Sequence, residues 1–167
     1  MEKFRHSNEG RTDSLLAKLR QMTDASLSVY QKGPDTREER RQIVLNYLNS
    51  IPLAAAPGYG EIHGIGEGLQ VWFGLNLQEV RSHFALSDGS QDKAKAFKHV
   101  LALQCSVKAP SYYLLKNRKA LETRTDYYVQ LLADIQVISQ EFAERVNSTP
   151  LEFSATRPAR PHFSYAE

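Results

Sequence analysis

From Ser111 to Asn147 the chain contains neither glycine nor proline, and Leu114, Leu121, Tyr128, Ile135 and Phe142 recur at every seventh position, with Leu131, Leu132 and Ile138 between them. Apolar side chains at that spacing line one face of an α-helix, and no residue in the run is an intrinsic helix breaker. The spacing predicts one helix of about 35 residues, or two meeting near Thr123 to Asp126. Such a helix is about three times the ordinary length, so it either traverses a whole domain or extends beyond it to meet another chain.

The preceding segments are shorter and better punctuated. In "TDSLLAKLRQMTDASLSVYQKGP", Thr12 or Asp13 is the cap, Leu15, Leu19, Met22 and Val29 form a stripe, and Gly33-Pro34 is the stop, which gives a helix over 13–31. A second helix is expected over 36–50. Asp35 or Thr36 caps it, Glu38 and Glu39 favour its first turn, and Ile43, Val44, Tyr47, Leu48 and Ile51 form its buried face. The short joining loop makes the two antiparallel.

"PGYGEIHGIGEG", residues 57–68, holds five of the nine glycines, and the glycine and proline density predicts an irregular loop over 52–68. Beyond it, "LQVWFGLNLQ" satisfies both a strand alternation and a helix stripe, followed by a helix from Asn76 to Leu86. Another helix begins at Ser90, and "LALQCSV" at 101–107 is helical or extended. The expected class is mainly α, a helical bundle with a long C-terminal helix and a flexible arm. The alternative is α+β, with a small sheet from 69–75 and 101–107. Residues 1–10 form a flexible N-terminus, 11–150 a single mainly helical domain, and 151–167 an extended arm punctuated by Pro158 and Pro161.

Composition narrows the function classes. With 167 residues, 41% apolar and 24% charged, the chain can bury its own core, and no apolar run is long enough for a membrane span. No apolar stretch follows "MEKFRHSNEGRTDS", so a secretory signal is not expected and the setting is cytoplasmic. Cys105 is the single cysteine and has no pairing partner within the chain; His99, six residues earlier, lies off its helical face, so Cys105 reads as packing.

The net charge of +2 conceals an asymmetry: residues 81–124 carry nine bases against three acids, flanked by acidic stretches at 51–80 and 125–152. The basic stretch includes "KAPSYYLLKNRKALETRTDYY". Here Lys108, Lys116, Arg118, Lys119 and Arg124 offer cations for phosphates, while Tyr112 and Tyr113, with Tyr127 and Tyr128, offer rings for base stacking. A loose helix-turn-helix pattern, with Lys93, Lys95 and Lys98 facing DNA, overlaps the same stretch.

Catalytic motifs are weak. The glycine stretch lacks the lysine of a phosphate-binding P-loop, and its spacing departs from the dinucleotide fingerprint by one residue. Glu61 with His63 and Glu79 with His83 form candidate metal pairs with no third ligand, so no metal and no cofactor are expected. No catalytic residue is assigned.

The leading functional expectation is a non-enzymatic binding and assembly protein of scaffold, coat or adaptor type. It would act through its long helix and through Arg157, Arg160, Phe163 and Tyr165 of the arm, on a protein partner or on copies of itself. A nucleic-acid-binding regulator or nucleocapsid-like protein using 108–124 is the alternative. A small enzyme with its site at 57–68 is the third.

Overall fold

A computed structural model describes residues 35–156, together with Tyr30 and Gly33. The helix expected over 13–31, the N-terminus at 1–10, and Arg157, Arg160, Phe163 and Tyr165 lie outside the described residues. The described chain is mainly helical, with one two-stranded antiparallel sheet.

The chain divides after Leu48. Helix α1 (Arg37–Ser50) starts where expected: the Asp35 carboxylate accepts from the Arg37 N–H at 3.2 Å, and Glu38 and Glu39 occupy the first turn. No residue of α1 is buried, and of the expected inner face only Ile51, just beyond the helix, is. Periodicity marks a face capable of packing but not the surface that covers it.

The second unit carries a β-hairpin where an irregular loop is expected. Residues 52–63 are not irregular but a hairpin, β1 (Pro52–Ala56) against β2 (Gly60–His63), with Ala56 opposite Gly60 and Pro52 opposite His63. The register slips between Pro52 and Ala55, where Ala54 adopts φ +65°. Glycines that break regular structure also supply tight turns, and Gly58, at φ +80°, makes the turn between the strands. Helix α2 (Gly64–Gly68) follows without a loop. Gly64 sits at φ +78°, and a Cβ there would lie 2.6 Å from the Asn49 carbonyl oxygen.

Leu69–Phe73 is a π-helical turn, closed by Gly74, and residues 101–106 belong to helix α4 (Gln91–Ser106), so the alternative sheet from 69–75 and 101–107 does not form. Leu69, Val71, Trp72 and Phe73 are all buried. A segment covered on nearly every side loses the contrast that would separate a two-residue from a 3.6-residue period. The Trp72 indole N–H donates to the Leu53 carbonyl at 3.0 Å, which ties this turn to the hairpin.

Helix α3 (Leu77–His83) and α4 are capped by Asn76 and Ser90, whose side chains accept from the N–H groups of Gln78 and Lys93. The expected helices at 76 and 90 are therefore present.

The long C-terminal helix is three pieces: a π-helical turn (Tyr112–Lys116), α5 (Arg118–Asp134) and α6 (Gln140–Ser148). Two polar caps make the breaks. The Asn117 side chain accepts from the Ala120 N–H at 3.0 Å, and the Ser139 hydroxyl accepts from the Phe142 N–H at 3.2 Å. Between α5 and α6, Gln136 adopts φ +60°, with Gln136 N–H on the Ala133 carbonyl and Val137 N–H on the Leu132 carbonyl at 2.9 Å. This pair of bonds is a Schellman closure, with glutamine in the left-handed position that glycine usually holds.

The breaks let α4, α5 and α6 pack on one another. Ala94, Val129, Ala133, Phe142, Ala143 and Val146 form their shared core, with Phe97, Leu101 and Ile138 at its edge. A charged group crosses the same three helices. Lys98 of α4 is 1% exposed, and its ammonium lies 2.8 Å from Asp126 and 3.6 Å from Glu122 on α5, while donating to the Asn147 carbonyl on α6.

Candidate functional site

The basic-aromatic segment is brought together, but largely against itself. Arg124 lies over the rings of Tyr113 and Tyr128, at 5.8 and 5.1 Å from their centroids, and donates to the Tyr128 hydroxyl. Arg118 stacks on Phe153 at 4.2 Å, and the Asn117 amide donates to the Tyr112 hydroxyl. Tyr112 also packs edge-on to Tyr113, and Tyr127 to Tyr128. Lys108, Lys116 and Lys119 are exposed, with no ion-pair partner among the described residues. The lysines of the helix-turn-helix pattern are also spent: Lys93 pairs with Asp88 at 2.8 Å, Lys95 with Glu152 at 2.7 Å, and Lys98 is inside. Sequence spacing identifies charge but not its internal partner.

The segment after α6 is held on the body. Ser154 N–H donates to the Trp72 carbonyl, Leu151 N–H to the Glu122 carboxylate, and Phe153 meets Phe73 edge-on at 5.0 Å. Beneath it His99 is fully buried, with Nδ1 2.7 Å from the Lys95 carbonyl and Nε2 3.2 Å from the Glu152 carbonyl. Burial pushes the His99 imidazole below its ordinary value, against the two carbonyls that favour the cation. The neutral ring has one N–H, and the shorter contact assigns it to Nδ1. Lys95 holds the Glu152 carboxyl below the usual range, through its hydrogen bond and its charge. Burial raises the Cys105 thiol, which keeps it protonated and suits the packing role.

The glycine stretch is structural in its contacts. The Glu67 carboxylate accepts from the Tyr59 hydroxyl at 2.9 Å and from the His63 N–H at 2.7 Å. Among the described residues no three His, Cys, Asp or Glu side chains converge as a metal site.

The feature that sequence reasoning missed is a groove of about 1010 Å³ between the α3–α4 corner and the α5–α6 turn. Phe84, Phe97, Phe142, Val137 and Ile138 supply its apolar wall. Phe97 packs edge-on to Phe142 at 5.3 Å, and Phe84 lies 6.3 Å from Phe97. Val137 is 64% exposed at its mouth. Lys93 and Asp88 neutralise each other at one rim, and Lys93 also donates to the Leu86 carbonyl. Asp134, at the other rim, accepts from the Gln130 amide. The groove thus sets an apolar wall against a polar rim, on which Asp134 has no ion-pair partner among the described residues. The only sequence signal for it was the excess of apolar residues at 135, 137 and 138 around a turn that contains no glycine.

No family model, curated protein or solved structure matches this chain. Among the described residues no helix is long and apolar enough to cross a membrane.

Proposed function

We propose that the chain is a non-enzymatic binding and assembly protein, whose groove receives a protein segment carrying an aromatic side chain close to a basic one. The groove carries this reading. Its wall is aromatic and aliphatic, and at its rim the Asp134 carboxylate has no ion-pair partner among the described residues. Open apolar surface of this kind on a globular domain marks a protein contact more readily than a reaction centre. The occupant with matching composition is residues 157–167 of another copy, where Arg157 and Arg160 precede Phe163 and Tyr165. An aromatic anchor would fill the wall beside Phe97, and an arginine would meet Asp134.

The test is fluorescence anisotropy of a labelled peptide spanning residues 157–167, titrated with the full chain. Saturable binding is expected, weakened at least about tenfold by Phe163→Ala in the peptide or Phe84→Ser in the chain, the loss of one anchor contact worth about 1.4 kcal/mol. Absence of binding to the unaltered chain, or binding indifferent to Phe84→Ser, would end this reading.

A further inference from the structure

Helix α5 buries Leu121, Thr125, Val129 and Ala133 on one side, and presents Lys119, Thr123, Tyr127, Gln130, Leu131 and Asp134 to solvent on the other. These six positions fall within about 120° of the helix circumference at 100° per residue. Tyr127 is 64% exposed and Leu131 is also exposed, as is Ile135 at the end of the helix. These large apolar side chains, at intervals of four on an outward face, lie outside the buried core of their own chain.

The charges on this face are ordered. Lys119 lies at its N-terminal end and Asp134 at its C-terminal end, about 22 Å apart at 1.5 Å per residue. Among the described residues neither has an ion-pair partner. Their midpoint falls between Asp126 and Tyr127, so the most exposed aromatic side chain of the helix lies at the centre of the charge pattern. A face that is basic at one end, carries Tyr127 near its middle and is acidic at the other end is complementary in charge to itself when turned end for end.

We propose that α5 is a self-association face: two copies pack their α5 helices antiparallel about a two-fold axis near Tyr127, with each Lys119 against the partner's Asp134. Tyr127 then meets its own equivalent, and Leu131 covers the partner's Thr123. Parallel packing is excluded by the same charges, which would set lysine on lysine and aspartate on aspartate. One helix pair covers less than the roughly 800 Å² per partner of a standard interface, so the dimer forms reversibly with concentration and weakens with salt. The contact shares Asp134 with the groove rim, but Lys119, Thr123, Tyr127 and Leu131 lie outside the groove, so Lys119→Glu probes this face alone.

Sedimentation velocity of the full chain over a range of concentrations tests this. A monomer–dimer equilibrium is expected, with the dissociation constant raised about tenfold or more by Lys119→Glu or by Asp134→Lys, since each change turns two symmetric attractions into repulsions. Combining the two changes restores the dimer, and Phe84→Ser, in the groove wall, leaves it intact. Both charged positions are exposed, so circular dichroism is expected to report an unchanged fold. As a second measurement, Tyr127→Cys should cross-link with itself under mild oxidation, because it lies at the axis, whereas Lys119→Cys should not. A chain that stays monomeric throughout, or a double charge reversal no better than the single ones, overturns the proposal. So does a dimer lost in Phe84→Ser but kept in Lys119→Glu, which would place self-association at the groove.

Discussion

Replacing Asp126 with asparagine should cost the fold more than removing the lysine it faces. The Lys98 side chain is 1% exposed, whereas Asp126 and Glu122 are 35% and 38% exposed, so the three charges differ in their access to water. At an effective dielectric constant of about 20, charges separated by the observed 2.8 and 3.6 Å attract by about 6 and 5 kcal/mol. Desolvation of each ion opposes this by several kcal/mol, and the partial exposure of the carboxylates weakens both terms. Asp126→Asn leaves the ammonium buried with only the longer carboxylate contact and the Asn147 carbonyl, and an expected loss of about 2–3 kcal/mol lies just below that for a fully enclosed pair. Lys98→Met keeps the apolar stem and leaves two carboxylates each exposed over about a third of the side chain, with only the Asp126 Oδ1 that faced the ammonium shut from water, for an expected loss of about 1–2 kcal/mol. With the ammonium gone, Asp126→Asn should become nearly neutral, giving a coupling of about 2 kcal/mol in a double-mutant cycle. Urea unfolding of the four proteins provides the numbers. If Lys98→Met proved as costly as Asp126→Asn, or the coupling vanished, the asymmetry of exposure would not govern this cluster.

Two further outcomes follow from single residues. Gln136→Gly relieves a left-handed backbone at φ +60° and should raise stability by about 0.5–1 kcal/mol in urea, after the larger chain entropy of glycine is deducted; no gain would mean the turn is unstrained. For His99, burial lowers the folded-state pKa, so below about pH 6.5 the unfolded chain binds more protons and stability present above that pH is lost as pH falls through the folded-state value. The urea midpoint should therefore drop between neutral and mildly acid pH, less so in His99→Gln, and equal pH profiles for the two proteins would remove His99 from the account.

The elements legible in the sequence were those whose ends carry local signals. Asn76 and Ser90 cap the helices they precede, and Asp35 with Glu38 and Glu39 opens α1. The run from 111 to 147 misled for a local reason as well: Asn117 and Ser139 are caps, but without glycine or proline beside them they read as ordinary helix residues. Gln136 makes a turn in a conformation that its side chain does not favour, held there by the packing of α6 on α5. The hairpin was hidden for the opposite reason, since its glycines signalled disruption where they permit a turn and a close approach. The basic-aromatic residues stand out in the sequence by type and spacing, and in the structure Arg118 and Arg124 stack on rings of their own chain. Nothing in residue spacing distinguishes a cation awaiting a ligand from one already stacked. The groove had no motif because Phe84, Phe97, Phe142 and Val137 come from four separate places in the chain.

The single tryptophan of the chain stands where three of these parts meet. Its indole is bonded to the hairpin through Leu53, its carbonyl receives Ser154 from the segment beyond α6, and its side chain is 1% exposed. Trp72 is therefore a built-in fluorophore for the second unit. Its emission should be blue-shifted in the native state, and should move red when the hairpin separates. Ser154 is bonded to the backbone carbonyl of Trp72 and not to its indole, so release of that segment alone should leave the emission wavelength little changed, and a red shift reports loss of the fold and not of the C-terminal contact.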